Sequence, residues 1–268
     1  MKNVVVTGST KGVGFALSKE FLKRGHNVVI SGRTQQSVDD AVGKLNPEAR
    51  DGARAVGRPT DVTDPAQVQA LWDFAVAELG PVHIWVNNAG VANTTASIVE
   101  TSEDDVRTMV TTNMLGTIYG SQVAVRGMTA QGGGQLFNIL GGGSDGKIRP
   151  NMGVYSTTKR GLDMLTATLV KETKGTNVRV GQIRPGMLIT EGWLREAEVA
   201  PEQVASQRKM LNILCDDVDD AAPFLVDGML NSTKTGDKIA WMTTGRLMKR
   251  FMTPGYAKKH DIMGRHGL

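Results

Sequence analysis

Tyr155 and Lys159 stand four residues apart in Tyr155-Ser-Thr-Thr-Lys159. In a helix that spacing puts a phenol and an ammonium on one face, one turn apart. A free phenol, with a pKa of about 10, is a poor acid or base at neutral pH. Lowering that value by about 3 units takes roughly 4 kcal/mol of preference for the phenolate. A unit cation about 4 Å away, at an effective dielectric near 20, supplies on the order of that amount. The chemistry this suggests is acid–base work on a substrate oxygen. A second cation, such as an oxidised nicotinamide ring, would add to the effect. Many helices carry Tyr and Lys at this spacing with no such role, so the elements that position the pair decide the matter.

Asn3-Val-Val-Val-Thr7 has the pattern of a short, buried parallel strand. It runs into Thr7-Gly8-Ser9-Thr10-Lys11-Gly12-Val13-Gly14, then into an apolar-periodic helix to about Arg24. Glycine here allows a tight turn and lets the backbone approach a pyrophosphate at the positive end of a helix. The spacing departs from the G-x-G-x-x-G dinucleotide fingerprint, with the first two glycines further apart. The next strand, His26 to Arg33, ends where folds that prefer NAD place an acid on the ribose 2′-hydroxyl. Arg33 stands there instead, with Lys11 as a second cation, so the expected cofactor is NADP(H).

Further on, strands are expected at Ala53–Arg58, Val82–Val86, Gly134–Leu140, Thr176–Ile183 and Lys238–Trp241. Helices are expected over 35–45, from Thr63-Asp-Pro65 to Leu79, from Ser102 to about Arg126, and around Tyr155 and Lys159 to about Thr173. This alternation predicts one Rossmann-type domain over 1–268, a doubly wound parallel sheet of about seven strands with helices on both faces. Ligands then bind beyond the carboxyl ends of the strands, where Gly8, Asn88, Ser144 and Pro185 all fall. Asn113 lies within the long fourth helix, a poor interior position for asparagine, and the bland reading is a solvent-facing side chain.

The chain resembles the short-chain dehydrogenase/reductases over roughly residues 1 to 190. The resemblance rests on Thr7-Gly8-x-x-x-Gly12-x-Gly14, Asp61-Val62 after the third strand, Asn87-Asn88-Ala89-Gly90, Asn113, Tyr155-x-x-x-Lys159, and Pro185-Gly186 followed by Thr190. It implies that Tyr155 exchanges a proton with the oxygen of an aldehyde, ketone or alcohol while the cofactor transfers hydride. Lys159 would lower the Tyr155 pKa and bind the nicotinamide ribose, and Asn113 would hold a water linking Lys159 to solvent. Asp61 and Asn88 would flank the adenine side, and Thr190 would hold the carboxamide. Members are usually dimers or tetramers, which implies a homo-oligomer.

The family's catalytic serine normally lies thirteen residues before the tyrosine, where this chain has Gly142. Ser144 stands two places nearer and is expected to replace it, with a hydroxyl bonded to its own loop as the alternative. FNILGGGSDG, VYSTTKRGLDMLTATLVKE, RPGMLIT and the NILC of Asn212–Cys215 are similar to the chlorophyll b reductase branch, which reduces a formyl group on a tetrapyrrole. A redox-sensing NADP(H)-binding protein without catalysis is the rival from another class.

Glu191 to about Leu214 should form a lid, with Trp193, Leu194, Met210 and Leu211 as apolar candidates. Asp216, Asp217, Asp219 and Asp220 fit an acidic helix start better than a metal site, and no metal is expected. Residues 246–268 hold six lysines and arginines against Asp261, with Met248, Phe251 and Met252 interleaved. Such a segment could touch an anionic membrane, but Pro254-Gly255 interrupts it, and a solvated or subunit-packed tail is expected.

Forty per cent hydrophobic and 22% charged residues describe an ordinary globular chain with a sizeable core. The net charge of +4 suits an anionic small ligand and gives no argument for nucleic acid. A single cysteine, Cys215, excludes an internal disulfide, and a first strand by Asn3 leaves no room for a targeting segment, so a cytoplasmic location is expected. No apolar run reaches the roughly 20 residues that cross a bilayer.

Overall fold

The computed structural model describes residues 1–199 and 201–268. The chain begins with β1 (Asn3–Val6), α1 (Gly12–Lys23), β2 (Asn27–Gly32), α2 (Gln35–Leu45), β3 (Ala55–Pro59), α3 (Pro65–Leu79) and β4 (Ile84–Asn87). It continues through α4 (Glu103–Met109), a π-helical turn (Val110–Leu115), α5 (Gly116–Ala130), β5 (Gly134–Ile139), α6 (Gly153–Glu172) and β6 (Val178–Arg184). The remainder is β7 (Met187–Ile189), α7 (Glu191–Val199), α8 (Pro201–Leu214), β8 (Cys215–Asp217), α9 (Val218–Leu230), β9 (Lys238–Ala240), α10 (Thr244–Met252), α11 (Tyr256–Lys259) and α12 (Ile262–Arg265).

Seven strands form one parallel sheet in the order β3-β2-β1-β4-β5-β6-β9, as expected. Strand order reverses between β1 and β4, which opens a crevice at their carboxyl ends. The unbroken Val4-Val5-Val6 run makes sense here, because successive side chains face opposite sides and both sides are covered. Val4 and Val6 join a core with Leu17, Phe21, Ile30 and Leu225 under α1, α2 and α9. Val5 joins another with Leu71, Trp72, Trp85 and Val123 under α3 and α5. Helix starts follow the sequence signals. Asp64 caps α3 through Ala66 N at 2.8 Å with Pro65 in the first turn, and Ser102 caps α4 through Asp105 N at 3.1 Å.

Three features differ from the sequence expectation. The helix expected from Ser102 to about Arg126 is broken by the π turn, whose extra residue carries Asn113 inward to complete burial rather than toward solvent. β7 and β8 pair in parallel, Met187 against Cys215 and Ile189 against Asp217, and this short second sheet flanks α7 and α8, the segment expected to form a lid. The segment after α9 is no solvated tail. Ile262 and Met263 are fully buried with Ile189 and Cys215 in a third apolar cluster. Arg250 donates to both carboxylate oxygens of Asp216 at 2.8 Å and to the Ile213 carbonyl at 2.9 Å. Asp216 therefore serves a buried ion pair, and the acidic start of α9 is left to Asp219 and Asp220.

Candidate active site

The glycine turn is fixed by its neighbour across the sheet. Gly8 has φ +63°, and a Cβ there would lie 2.8 Å from Ala89 Cα. Asn88 donates from Nδ2 to the carbonyls of Thr7 at 2.8 Å and Gly8 at 2.9 Å. Thr7 Oγ1 accepts from the amides of Asn88 at 3.0 Å and Ala89 at 3.1 Å. A side chain on Gly14 would clash with the Asn88 amide. The turn and the Asn87–Gly90 segment thus form one strap at the start of α1. Lys11 occupies the N-cap with no side-chain cap bond, so the first amides of α1 face the crevice without a capping oxygen. The Ser9 hydroxyl donates to Val6 O at 2.7 Å and accepts from Ser31 N at 2.9 Å, tying β1 to β2.

Beside the turn lies a cleft of about 500 Å³ whose walls include Thr10, Lys11, Arg33, Ser37, Lys44 and Glu191. Lys11 and Arg33 are the cations expected there. Lys44, from the last turn of α2, is a third that sequence reasoning missed. Asp61 Oδ1 accepts from Thr63 N at 2.9 Å and Thr63 Oγ1 at 2.8 Å, which shapes the turn after β3. Val62 is buried against Gly116, where a Cβ would come within 2.7 Å of it.

The groups expected to handle a proton meet one strand further along. Asn113 Oδ1 accepts from Val91 N at 2.8 Å, and its Nδ2 donates to Val91 O at 2.9 Å and Thr158 Oγ1 at 3.1 Å. A Cβ built on Gly90 would lie 3.2 Å from Asn113 Oδ1 and 3.5 Å from Lys159 Nζ, so the π turn, the strap and α6 converge on that glycine. Lys159 is 5% exposed, donates to the Ile139 carbonyl at 3.2 Å, and holds Nζ 5.8 Å from the Tyr155 ring centre. Burial pulls Lys159 down to about 8, which leaves it mostly charged at neutral pH.

Tyr155 departs from the expected depression. Burial pushes its phenol up to about 12, and the carboxylate of Glu196 adds to the rise. In the bare cleft the phenol keeps its proton. A side chain on Gly141 would clash with the Tyr155 hydroxyl, so glycine lets that hydroxyl rest against the loop after β5.

Ser144 is placed differently from the expectation that it substitutes for the missing donor. It is 2% exposed, and its hydroxyl donates to the Gly141 carbonyl at 2.7 Å. Its proton is committed to the loop, and its carbonyl accepts from Arg160 at 3.0 Å. Gly142 faces the site instead. A Cβ there would lie 4.0 Å from Tyr155 Cε1 and 2.8 Å from the terminal carbon of Met152.

The segment after β6 returns to the crevice. Gly186 takes φ +84°, and Thr190 lies where a Cβ on Gly12 would come within 3.5 Å of its methyl carbon. Thr190 Oγ1 accepts from Trp193 N at 3.2 Å and starts α7. Trp193, Leu194 and Leu211 pack into the third apolar cluster with Ile189 and Cys215, which is the ordinary core role, while Met210 is exposed. Glu196 of α7 hydrogen-bonds Thr94 across the crevice. Neither residue carried a signal in the sequence, because the pairing joins segments 102 residues apart.

A helix start with free amides, a strap that only glycine permits and a cluster of three cations together fit a dinucleotide with an extra phosphate. With the half-buried Tyr155 and the buried Lys159 at the other end, the molecule has the make-up of a nicotinamide-dependent oxidoreductase. Residues 2–198 match the short chain dehydrogenase family, and the chain belongs to it. It is 35% identical over 267 residues to the probable chlorophyll(ide) b reductase NYC1 of Arabidopsis thaliana, covering 94% of this chain and 53% of that one. It is 40% identical over 231 residues to the chlorophyll(ide) b reductase NOL of Oryza sativa subsp. japonica, covering 84% and 65%. The chain therefore spans about half to two thirds of the length of these relatives. Among solved structures, a short-chain type dehydrogenase/reductase from Mycobacterium ulcerans superposes with a TM-score of 0.81 at 26% identity, covering 92% and 90%. L-sorbose reductase from Gluconobacter frateurii, complexed with NADPH and L-sorbose, gives 0.76 at 25% identity, covering 89% and 94%.

Proposed function

We propose that the protein reduces a formyl group on a chlorophyll(ide) b-type tetrapyrrole to a hydroxymethyl group at the expense of NADPH. One observation carries this reading. The family match ends at residue 198, whereas the 35% identity to the Arabidopsis protein runs over 267 residues and so takes in the lid. In this reading the 191–214 segment closes over the substrate, so its likeness to that protein bears on what the substrate is.

NADPH, when bound, would supply the hydride to the formyl carbon. Tyr155, which holds its proton in the free protein, donates it to the formyl oxygen, so R–CHO, NADPH and a proton become R–CH₂OH and NADP⁺. The buried Lys159 ammonium steadies the resulting phenolate, and the Asn113 amide beside it anchors the path by which solvent restores the proton. Gly8, Thr10, Gly12, Val13 and Gly14 bring backbone to the pyrophosphate, and Lys11, Arg33 and Lys44 hold the 2′-phosphate. Asp61, Val62, Asn88, Ala89 and Gly90 line the adenine and ribose side. Pro185, Gly186 and Thr190 hold the carboxamide end.

The test is incubation of the purified protein with chlorophyllide b and NADPH, with pigments separated and NADPH absorbance followed. Hydroxymethyl product in step with NADPH loss supports the proposal. Turnover of simple aldehydes or ketones only would reject the tetrapyrrole and leave a general carbonyl–alcohol oxidoreductase, the reading favoured by the likeness to L-sorbose reductase. NADPH binding without turnover of any carbonyl would point to a non-catalytic sensor.

A further inference from the structure

Helix α10 is turned inside out. Met248, Phe251 and Met252, at spacings of three and four, share its outward face and are 57%, 51% and 76% exposed. The inward face carries the charge. Arg250 is 7% exposed on the Asp216 carboxylate, and the Arg246 guanidinium lies 3.7 Å over the centre of the Trp241 ring. A surface helix ordinarily does the reverse, with apolar residues inward and charges in water. The arrangement is locked. Asp216 also accepts from Trp241 Nε1 at 2.7 Å, with His260 Nε2 3.3 Å away, so the helix cannot roll its apolar row under without stripping a buried carboxylate.

The charge around that row is one-sided. Lys249, Lys258 and Lys259 are exposed next to it in sequence and on the following helix. Residues 244–268 hold six of the 31 lysines and arginines but one of the 27 acids, so the chain's positive balance resides here. The single acid, Asp261, is engaged by Arg208 at 3.1 Å and by Asn212 at 2.9 Å. A second copy docking face to face would oppose the same lysines across the contact, where like charges are unfavourable. An anionic lipid surface satisfies both features at once.

We propose that this face docks the protein on an anionic phospholipid bilayer, with Met248, Phe251 and Met252 entering the acyl boundary and Lys249, Lys258 and Lys259 meeting the phosphate headgroups. Three apolar side chains hold only weakly alone, so binding is reversible and depends on lipid charge. Helices α10, α11 and α12 all pack on α8 of the lid, which places the docked face next to the crevice. The inference stands on this surface alone and does not depend on the substrate.

The experiment is co-sedimentation of the full chain with vesicles of phosphatidylcholine alone and with vesicles rich in phosphatidylglycerol. Binding is expected to the anionic vesicles only, with release at about 0.5 M salt, where the screening length is a few ångströms. Lys258→Glu with Lys259→Glu should weaken it by at least about 25-fold, at about fivefold per lysine lost. Phe251→Ser with Met252→Ser should abolish sedimentation. Unchanged thermal melting and secondary structure verify that both variants fold. Equal binding to neutral vesicles, no binding at low salt, or full binding by either variant would overturn the proposal. So would light scattering that shows the wild type self-associating and the Phe251/Met252 variant not, which assigns the face to a second copy.

Discussion

Replacing Lys159 by Met should stabilise the free protein at neutral pH while removing its activity. The ammonium is buried and its pKa falls from 10.5 to about 8. Between those values the unfolded chain holds the proton more firmly than the folded one. Stability therefore rises with pH across that window, and the full penalty stands below about pH 8. At 1.36 kcal/mol per unit, holding the charge costs about 3 kcal/mol at pH 7. Methionine has a stem of similar length and no charge. It also loses the 3.2 Å bond to the Ile139 carbonyl, worth about 1 kcal/mol. The net gain is about 2 kcal/mol, or about 4 °C in Tm for a chain of this length. Paired thermal melts without nucleotide at pH 7 and pH 10 make the measurement. The advantage should be present at pH 7 and gone by pH 10. A variant less stable at pH 7, or equally favoured at both, would show that burying the Lys159 charge carries no such cost.

Arg33→Ala should raise the Michaelis constant for NADPH by at least about tenfold and leave that for NADH nearly unchanged, since only the former carries a charged phosphate for it to hold; equal effects would remove Arg33 from the phosphate site. Glu196→Gln removes an anion that raises the Tyr155 pKa, so the rate of alcohol oxidation, which needs the phenolate, should climb at lower pH than in the wild type. An unmoved pH–rate profile would dissociate Glu196 from the phenol. Ser144→Ala should lower Tm through the lost bond to Gly141 while kcat stays within a few-fold of wild type, whereas a loss of about 10²–10³ would make Ser144 a donor to the substrate oxygen. Gly142→Ser, whose only close neighbour is the mobile end of Met152, should raise kcat on a small aldehyde by supplying that donor.

The sheet was readable from the sequence because its signals are local. Valine runs at β1 and β2, Pro65 at the start of α3 and the Thr7–Gly14 turn each announce themselves within a few residues. Tyr155 and Lys159 were readable for the same reason, as a spacing within one helix. What escaped depends on distant partners. The resemblance named Asn113, but not the π turn that carries it inward, which no local pattern marks, nor its partner Val91, 22 residues away. Asp216 reads as the start of an acidic helix until Arg250, 34 residues on, is seen to claim it. Gly142 and Ser144 could be counted against Tyr155, but which of them faces it is a matter of how the glycine loop closes. The fall of Lys159 and the rise of Tyr155 come from burial, and burial is a property of the assembled fold.

The proposed reduction turns on the Tyr155 proton reaching a substrate oxygen beside the nicotinamide. Single-turnover reduction of a carbonyl by Tyr155→Phe under saturating NADPH tests this most directly. A fall in the hydride-transfer rate by at least about 10²-fold, with the NADPH Kd within about twofold of wild type, is the predicted result. Reduction at the wild-type rate would contradict it.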